Sequence, residues 1–307
     1  MDRHRFEGIW LPLITPFADG ALDERSLAGL IRHYLDLPID GMILAATTGE
    51  GLTLDEQETE RLVGIAAEAV QGKLPLLLGL CGSDTRAMVE RLREVERWPV
   101  AGYLITCPYY SRPSQEGLAR HFLALAAETE KPILLYNIPY RTGINLANET
   151  IFRLAEHSRI VGIKDCCAQL AQTFELLRGR PRDFAVLTGE DALFYTHLAL
   201  GADGGILAAA HVETATFAAV RGALLRGERE TALEIWRDLA DIVSLLFAEP
   251  NPAPIKHWLW RKELIASPEL RLPMTGVSAA LAARIDRAIA WPRAGGARGV
   301  LSAGATR

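Results

Sequence analysis

The sequence predicts an α/β protein, a (β/α)8 TIM barrel with a C-terminal helical appendage, and three observations predict it. Eight apolar runs of strand length alternate with amphipathic helical stretches over most of the chain. The runs are almost continuously apolar rather than alternating, which calls for a parallel sheet buried on both faces by helices. Eight consecutive βα units favour closure into a barrel, and no Gly-rich dinucleotide fingerprint follows the first strand to support an open sheet.

Taken in order, the strands are expected at Gly8–Thr15, Gly41–Thr48, Leu74–Leu80, Gly102–Cys107, Pro132–Ile138, Arg159–Lys164, Phe184–Gly189 and Gly204–Ala210. The helices between and after them are expected near Asp23–Leu37, Asp55–Gln71, Asp84–Arg97, Ser114–Glu130, Ala147–His157, Ala168–Arg178, Asp191–Leu200 and Val212–Arg226. Thr53-Leu54-Asp55-Glu56 has capping-box spacing, and Ser83-Asp84 supplies N-cap residues for the third helix. The strand pattern stops near residue 227. Helices continue at Glu228–Phe247, Ile255–Ile265 and Ser278–Ala290, with the Pro-punctuated Glu249–Pro254 between the first two. This divides the chain into a catalytic barrel over residues 1–227, a helical domain over 228–291 and a Gly-, Ala- and Arg-rich tail over 292–307 that is expected to fray.

A chain of 307 residues with 49% hydrophobic content buries a sizeable core. Its net charge of −5 and interleaved acids and bases indicate no nucleic-acid or membrane surface. The segment Met1–Glu7 lacks the apolar run of a signal peptide, and no apolar stretch has the length of a membrane span. Cys81, Cys107, Cys166 and Cys167 form no CxxC pair. Reduced thiols, a cytoplasmic location and no zinc site are therefore expected.

In a barrel of this kind, catalytic groups belong at the C-terminal ends of the strands. The sixth strand, Ile160-Val161-Gly162-Ile163-Lys164, ends an apolar run with an amine. Desolvation there lowers an ammonium pKa and frees a neutral amine to attack a carbonyl, so Lys164 is a Schiff-base candidate. The alternatives are a lysine that reaches water or one that pairs with Asp165. Strand two ends at Thr47-Thr48-Gly49-Glu50, either a plain turn or a seat of hydroxyls and amides for a small carboxylate. Strand five ends at Tyr136-Asn137; Tyr136 is either a core tyrosine or a proton shuttle beside the imine. Arg141 caps a loop, pairs with an acid of the chain, or grips a second carboxylate with its planar fork.

These motifs together resemble the dihydrodipicolinate synthase / N-acetylneuraminate lyase family of pyruvate-dependent class I aldolases, over about Phe6 to Trp291. The resemblance rests on Thr47–Glu50, Tyr109–Gly117, Tyr136–Gly143, Gly162–Asp165, and Glu249–Pro252 with Arg271–Met274. It implies that Lys164 forms the imine with pyruvate and that Tyr136 is the acid/base. Thr47 and Tyr110 would complete a proton relay, Tyr110 across a subunit interface. Thr48 and the Ile206 backbone would hold pyruvate, and Arg141 the carboxylate of L-aspartate 4-semialdehyde. The implied product is 4-hydroxy-tetrahydrodipicolinate, in lysine and diaminopimelate biosynthesis, made by a homo-oligomer (tetramer or dimer) without metal or organic cofactor. A related aldolase joining pyruvate to another aldehyde, in a longer 2-oxo acid, is the alternative. A keto-acid binding regulator is a third reading, against which the lysine–tyrosine pair argues.

The chain departs from the synthase pattern at Ala46, Tyr140 and Cys166-Cys167, all around the second-substrate pocket. It departs again where lysine-inhibited relatives hold their effector. The matching positions here are Gly51, Leu52, Glu56, Thr59, Ser83 and Ala87, without the expected histidines and glutamate.

Overall fold

A computed structural model describes residues 6–290. Eight parallel strands close a barrel in sequence order: β1 Gly8–Pro12, β2 Gly41–Leu44, β3 Leu76–Leu80, β4 Gly102–Thr106, β5 Ile133–Asn137, β6 Ile160–Asp165, β7 Ala185–Thr188 and β8 Gly204–Ile206. Helices α1 Glu24–Leu35, α2 Glu56–Val70, α3 Thr85–Val95, α4 Gln115–Ala126, α5 Asn148–Leu154, α6 Leu170–Gly179, α7 Phe194–Ala199 and α8 Ala210–Leu225 follow the strands of the same number. The fold class is the one the sequence predicts. The expected tail over 292–307 lies outside the described residues.

Alternate strand residues divide the core in two. Ile9, Leu11, Met42, Leu44 and Leu78 face the helices. Trp10, Ile43, Leu77, Leu104, Leu134, Leu187 and Ile206 fill the barrel interior, where Tyr136 and Cys166 join them. The period of two along each strand produces this division.

The element ends differ from expectation for identifiable reasons. Strand two stops at Leu44 because Ala45 takes a left-handed conformation (φ 52°) and the chain folds back. Gly51 makes that fold possible, since a Cβ there would lie 1.8 Å from the Ala45 carbonyl oxygen. The capping box closes between Asp55 and Glu58, not Thr53 and Glu56, because Thr53 sits in a 3-10 turn and its hydroxyl donates to the Glu50 carbonyl. Asp84 does cap α3, accepting from the Arg86 amide at 3.0 Å. Strand eight ends at Ile206 rather than Ala210 because the Ala209 amide donates to the Asp191 carboxylate, 2.6 Å away. A two-stranded hairpin, Phe17–Ala18 with Ala21–Leu22, has too few residues to show a period.

The appendage comprises α9 Arg229–Leu246, α10 Ala253–Arg261 and α11 Ala279–Ala290. Its apolar residues, among them Leu239, Val243, Ile255, Leu259 and Ile285, share one buried cluster with the helix layer of the barrel. Polar links fasten it to the turn after β2. Lys256 Nζ lies 2.5 Å from Glu50 Oε1 with both side chains buried, and it donates to the Glu269 carbonyl at 2.8 Å. Glu50 Oε2 accepts from the Arg271 amide, and the Arg271 guanidinium forks onto both oxygens of Glu58. Removing one partner of a buried pair leaves the other uncompensated. Lys256→Met should therefore lower unfolding stability by about 3–5 kcal/mol in urea titrations. Adding Glu50→Gln should recover part of that loss; a single variant as stable as wild type would refute the linkage.

Candidate active site

Lys164 and Tyr136 occupy facing positions on neighbouring strands, β6 and β5, at the C-terminal end of the barrel. Parallel pairing sets Lys164 opposite Tyr136 and brings the ammonium nitrogen to 4.3 Å from the centre of the tyrosine ring. Both are buried, with 5% and 4% of their surface exposed. Burial pushes the Lys164 pKa down, and Arg141 adds to this, while Cys166, Asp191 and Glu190 oppose it. Burial also pushes the Tyr136 phenol well up, against a hydrogen bond from Thr47 and the charge of Arg141. A lysine biased towards the free amine thus lies against a phenol that keeps its proton.

Asp165 does not neutralise this lysine. Its carboxylate accepts from the Cys167 amide at 3.0 Å and the Thr173 hydroxyl at 2.7 Å. Consecutive strand residues point to opposite faces, so Lys164 turns into the barrel and Asp165 out of it. Room for the lysine stem comes from Gly189 at the end of β7. A Cβ there would lie 2.4 Å from Lys164 Cε and 2.3 Å from Cys166 Sγ.

A cavity of about 330 Å³ opens at this end of the barrel, and Thr47, Tyr136 and Arg141 are among its walls. Arg141 sits on the helical turn Pro139–Thr142, exposed, its guanidinium stacked 5.8 Å from the Tyr140 ring. Thr48 is buried, and its hydroxyl accepts from the Asn251 amide group at 2.9 Å. Asn251 itself, from the segment between α9 and α10, is also part of the cavity wall. Ile206 ends β8 with its side chain in the barrel interior. Tyr110 is not brought to the cavity of its own chain: it is 94% exposed, with φ 68°, and Tyr109 lines the wall instead.

Three neighbours escaped the sequence reading. Glu190 and Asp191 follow β7 at the same strand-end position that singled out the other residues, so that rule would have found them. Asp191 is buried, which raises its carboxyl to about 7 against the pull of the Ala209 amide and Lys164. Asn251 lies in the Glu249–Pro252 motif, but its contact with Thr48 carries no sequence signal, because only the packing of the appendage takes it there. Among the described residues no group of three or more His, Cys, Asp or Glu is placed to hold a metal ion. The four cysteines are free thiols. No helix among the described residues is long and apolar enough to cross a membrane.

The arrangement is one that can form and protonate an imine, with an exposed arginine on the wall of the cavity. Comparison with known proteins agrees in family. Residues 5–290 match the model of the Dihydrodipicolinate synthetase family. The chain is 44% identical over 283 residues to 4-hydroxy-tetrahydrodipicolinate synthase 2 of Clostridium acetobutylicum, covering 92% of this chain and 99% of that one. Among solved structures, dihydrodipicolinate synthase from Thermotoga maritima superposes with a TM-score of 0.91 at 32% identity, covering 94% of this chain and 98% of that chain. The Cyanidioschyzon merolae enzyme, solved with lysine bound, gives 0.89 at 32% identity, with the same coverage of each chain.

Proposed function

The chain belongs to the Dihydrodipicolinate synthetase family of lyases, and from that premise we propose that it condenses pyruvate with L-aspartate 4-semialdehyde to 4-hydroxy-tetrahydrodipicolinate. The observation that carries this reading is the buried apposition of Lys164 and Tyr136, with Tyr136 and the exposed Arg141 on the wall of one cavity. The Lys164 amine adds to C2 of pyruvate, and loss of water leaves a protonated imine. That cation withdraws electrons from the methyl carbon, which gives up a proton to form an enamine. The enamine carbon attacks the aldehyde carbon, and Tyr136 protonates the oxygen produced, the proton being replaced through Thr47. The amine of the second substrate then attacks C2, closes the ring and expels the Lys164 amine. The balance is one water released per condensation.

Thr48 and the Ile206 backbone hold the pyruvate carboxylate in this scheme. Donation from Asn251 occupies a lone pair of the Thr48 oxygen and leaves its proton for an anion. Tyr110 acts in a second copy of the chain. Its exposure, shared with Leu52 at 74%, and its left-handed backbone suit a residue held by a partner in a homo-oligomer. The reaction draws on no metal or organic cofactor and belongs in the cytoplasm.

Steady-state assays with pyruvate and a panel of aldehydes test the assignment. Turnover should be greatest with L-aspartate 4-semialdehyde, and Arg141→Ala should raise its KM about 10- to 100-fold by removing a charge-assisted pair. Imine formation with pyruvate should persist in that variant. Indifference to the substitution, or preference for another aldehyde, would favour an aldolase of longer 2-oxo acids.

Lysine should be without effect. Glu56 is paired with Arg91 at 2.5 Å, the Thr59 hydroxyl donates to the Asp55 carbonyl, and the Ser83 hydroxyl donates to the Tyr109 carbonyl. Ala87 presents only a methyl group, so an incoming ammonium would exchange water for little. Millimolar lysine should leave the initial rate and the melting temperature unchanged. Saturable inhibition that disappears in Glu56→Ala would overturn this expectation.

A further inference from the structure

Among the described residues, the wall of the cavity that Tyr136 enters carries two charged side chains, Glu50 and Arg141. Leu80, Leu104, Ile138 and Met274 supply much of the rest. Glu50 is engaged on both oxygens, Oε1 by Lys256 and Oε2 by the Arg271 amide. Burial pushes up the Cys81 thiol and the Tyr109 and Tyr136 phenols, so these wall groups keep their protons. In the proposed scheme Thr48 and the Ile206 backbone hold C1 of the 2-oxo acid and Lys164 holds C2. C3 then faces the cavity from which the aldehyde arrives. A methyl group at C3 depends on the relay through Tyr136 and Thr47 to give up its proton, because the wall offers no unengaged carboxylate or thiolate as a base. A carboxylate at C3 leaves as CO2 and needs no base.

We propose that the site has a further activity, the decarboxylation of 2-oxo acids that carry a carboxylate on C3. The Lys164 amine adds to C2 and water is lost, which gives a protonated imine as with pyruvate. The bond between C3 and the carboxylate carbon then breaks. Its electron pair becomes the C2–C3 double bond, and the imine nitrogen takes up the displaced pair, leaving an enamine and CO2. A proton from solvent restores C3, and water releases pyruvate and the Lys164 amine. One proton is consumed for each CO2 released, and no oxidant or reductant takes part. The apolar wall favours the cleavage. An ionised carboxylate set against Leu104 and Ile138, both buried in the barrel interior, loses hydration that the neutral CO2 does not require. The exposed Arg141 attracts a substrate with two negative charges to the same cavity. The inference rests on the proposed Lys164 imine.

The probe is oxaloacetate, with EDTA present to suppress its metal-catalysed decay. The full chain should release CO2 saturably and faster than buffer alone, and Lys164→Ala should return the rate to that of buffer. Two variants of Ile138 isolate the part played by the wall. Ile138→Val and Ile138→Thr lose nearly the same volume, and only the second adds a hydroxyl that keeps the carboxylate solvated. CO2 release, normalised to pyruvate trapping by borohydride, should be about 10-fold slower in Ile138→Thr than in Ile138→Val, the scale of a polar group placed in an apolar site. Three results would overturn the inference and leave the condensation standing. They are equal normalised rates in the two variants, CO2 release that survives Lys164→Ala, and no release from wild-type protein that pyruvate still labels at Lys164. A wild-type protein that pyruvate and borohydride do not label at Lys164 would instead overturn the function, and this inference with it.

Discussion

Incubation with pyruvate followed by borohydride should leave a reduced covalent adduct on Lys164, detected by mass spectrometry on the peptide containing Gly162-Ile163-Lys164. Attack on the ketone requires the neutral amine, and burial among apolar strand residues shifts Lys164 towards that form. Desolvation is moderated by the nearby Cys166, Asp191 and Glu190, so the amine is reactive without being stripped of all polar company. Lys164→Ala should lose labelling together with turnover, by about four orders of magnitude or more, as removal of a covalent nucleophile does. Lys256 is the internal control. It is fully buried but held by Glu50 and the Glu269 carbonyl, and it should remain unlabelled. An adduct on Lys256, or on any lysine other than Lys164, would remove the basis of the site.

The second large effect is expected at Tyr136. Tyr136→Phe keeps the ring that packs 4.3 Å from the lysine nitrogen and deletes only the phenol. General acid–base catalysis contributes typically 10²- to 10⁴-fold, and kcat should fall by about that factor. Lys164 should still be trapped by pyruvate and borohydride, though more slowly, because the nucleophile survives. Melting temperature should scarcely move, since the interior packing of the ring is retained. If the variant loses KM alone, Tyr136 serves binding; if it keeps wild-type kcat, proton transfer runs through another group. The raised phenol pKa makes the neutral form the working one across physiological pH, so Tyr136 should impose no ionisation on the rate there.

Much of the architecture is local information. Apolar runs of four to eight residues separated by helical stretches state a parallel sheet covered on both faces, whatever the distant contacts. Lys164, Tyr136 and Arg141 were legible because each interrupts or follows such a run with a group whose burial needs a reason. Glu190 and Asp191 stand at an equivalent strand end, directly after the apolar run Phe184–Leu187, and carried the same signal. Element ends were less legible. Leu207-Ala208-Ala209-Ala210 has the composition of a strand, and only the capture of the Ala209 amide by Asp191, eighteen residues earlier in the chain, ends β8 at Ile206.

Other features exist only in three dimensions. Tyr136 and Lys164 are twenty-eight positions apart, and their apposition depends on the register of β5 against β6. A slip of one residue would send one of the two side chains to the opposite face. The same alternation, anchored by Thr173 and the Cys167 amide, turns Asp165 away from the lysine it adjoins in sequence. Asn251 reaches Thr48 across 203 positions, and Lys256 reaches Glu50, because the appendage shares a core with the helix layer. Residue type and spacing therefore determined which chemical groups the barrel mouth holds. Strand register and the docking of the last helices decided which of those groups meet, because side-chain direction and long-range burial are properties of the assembled chain.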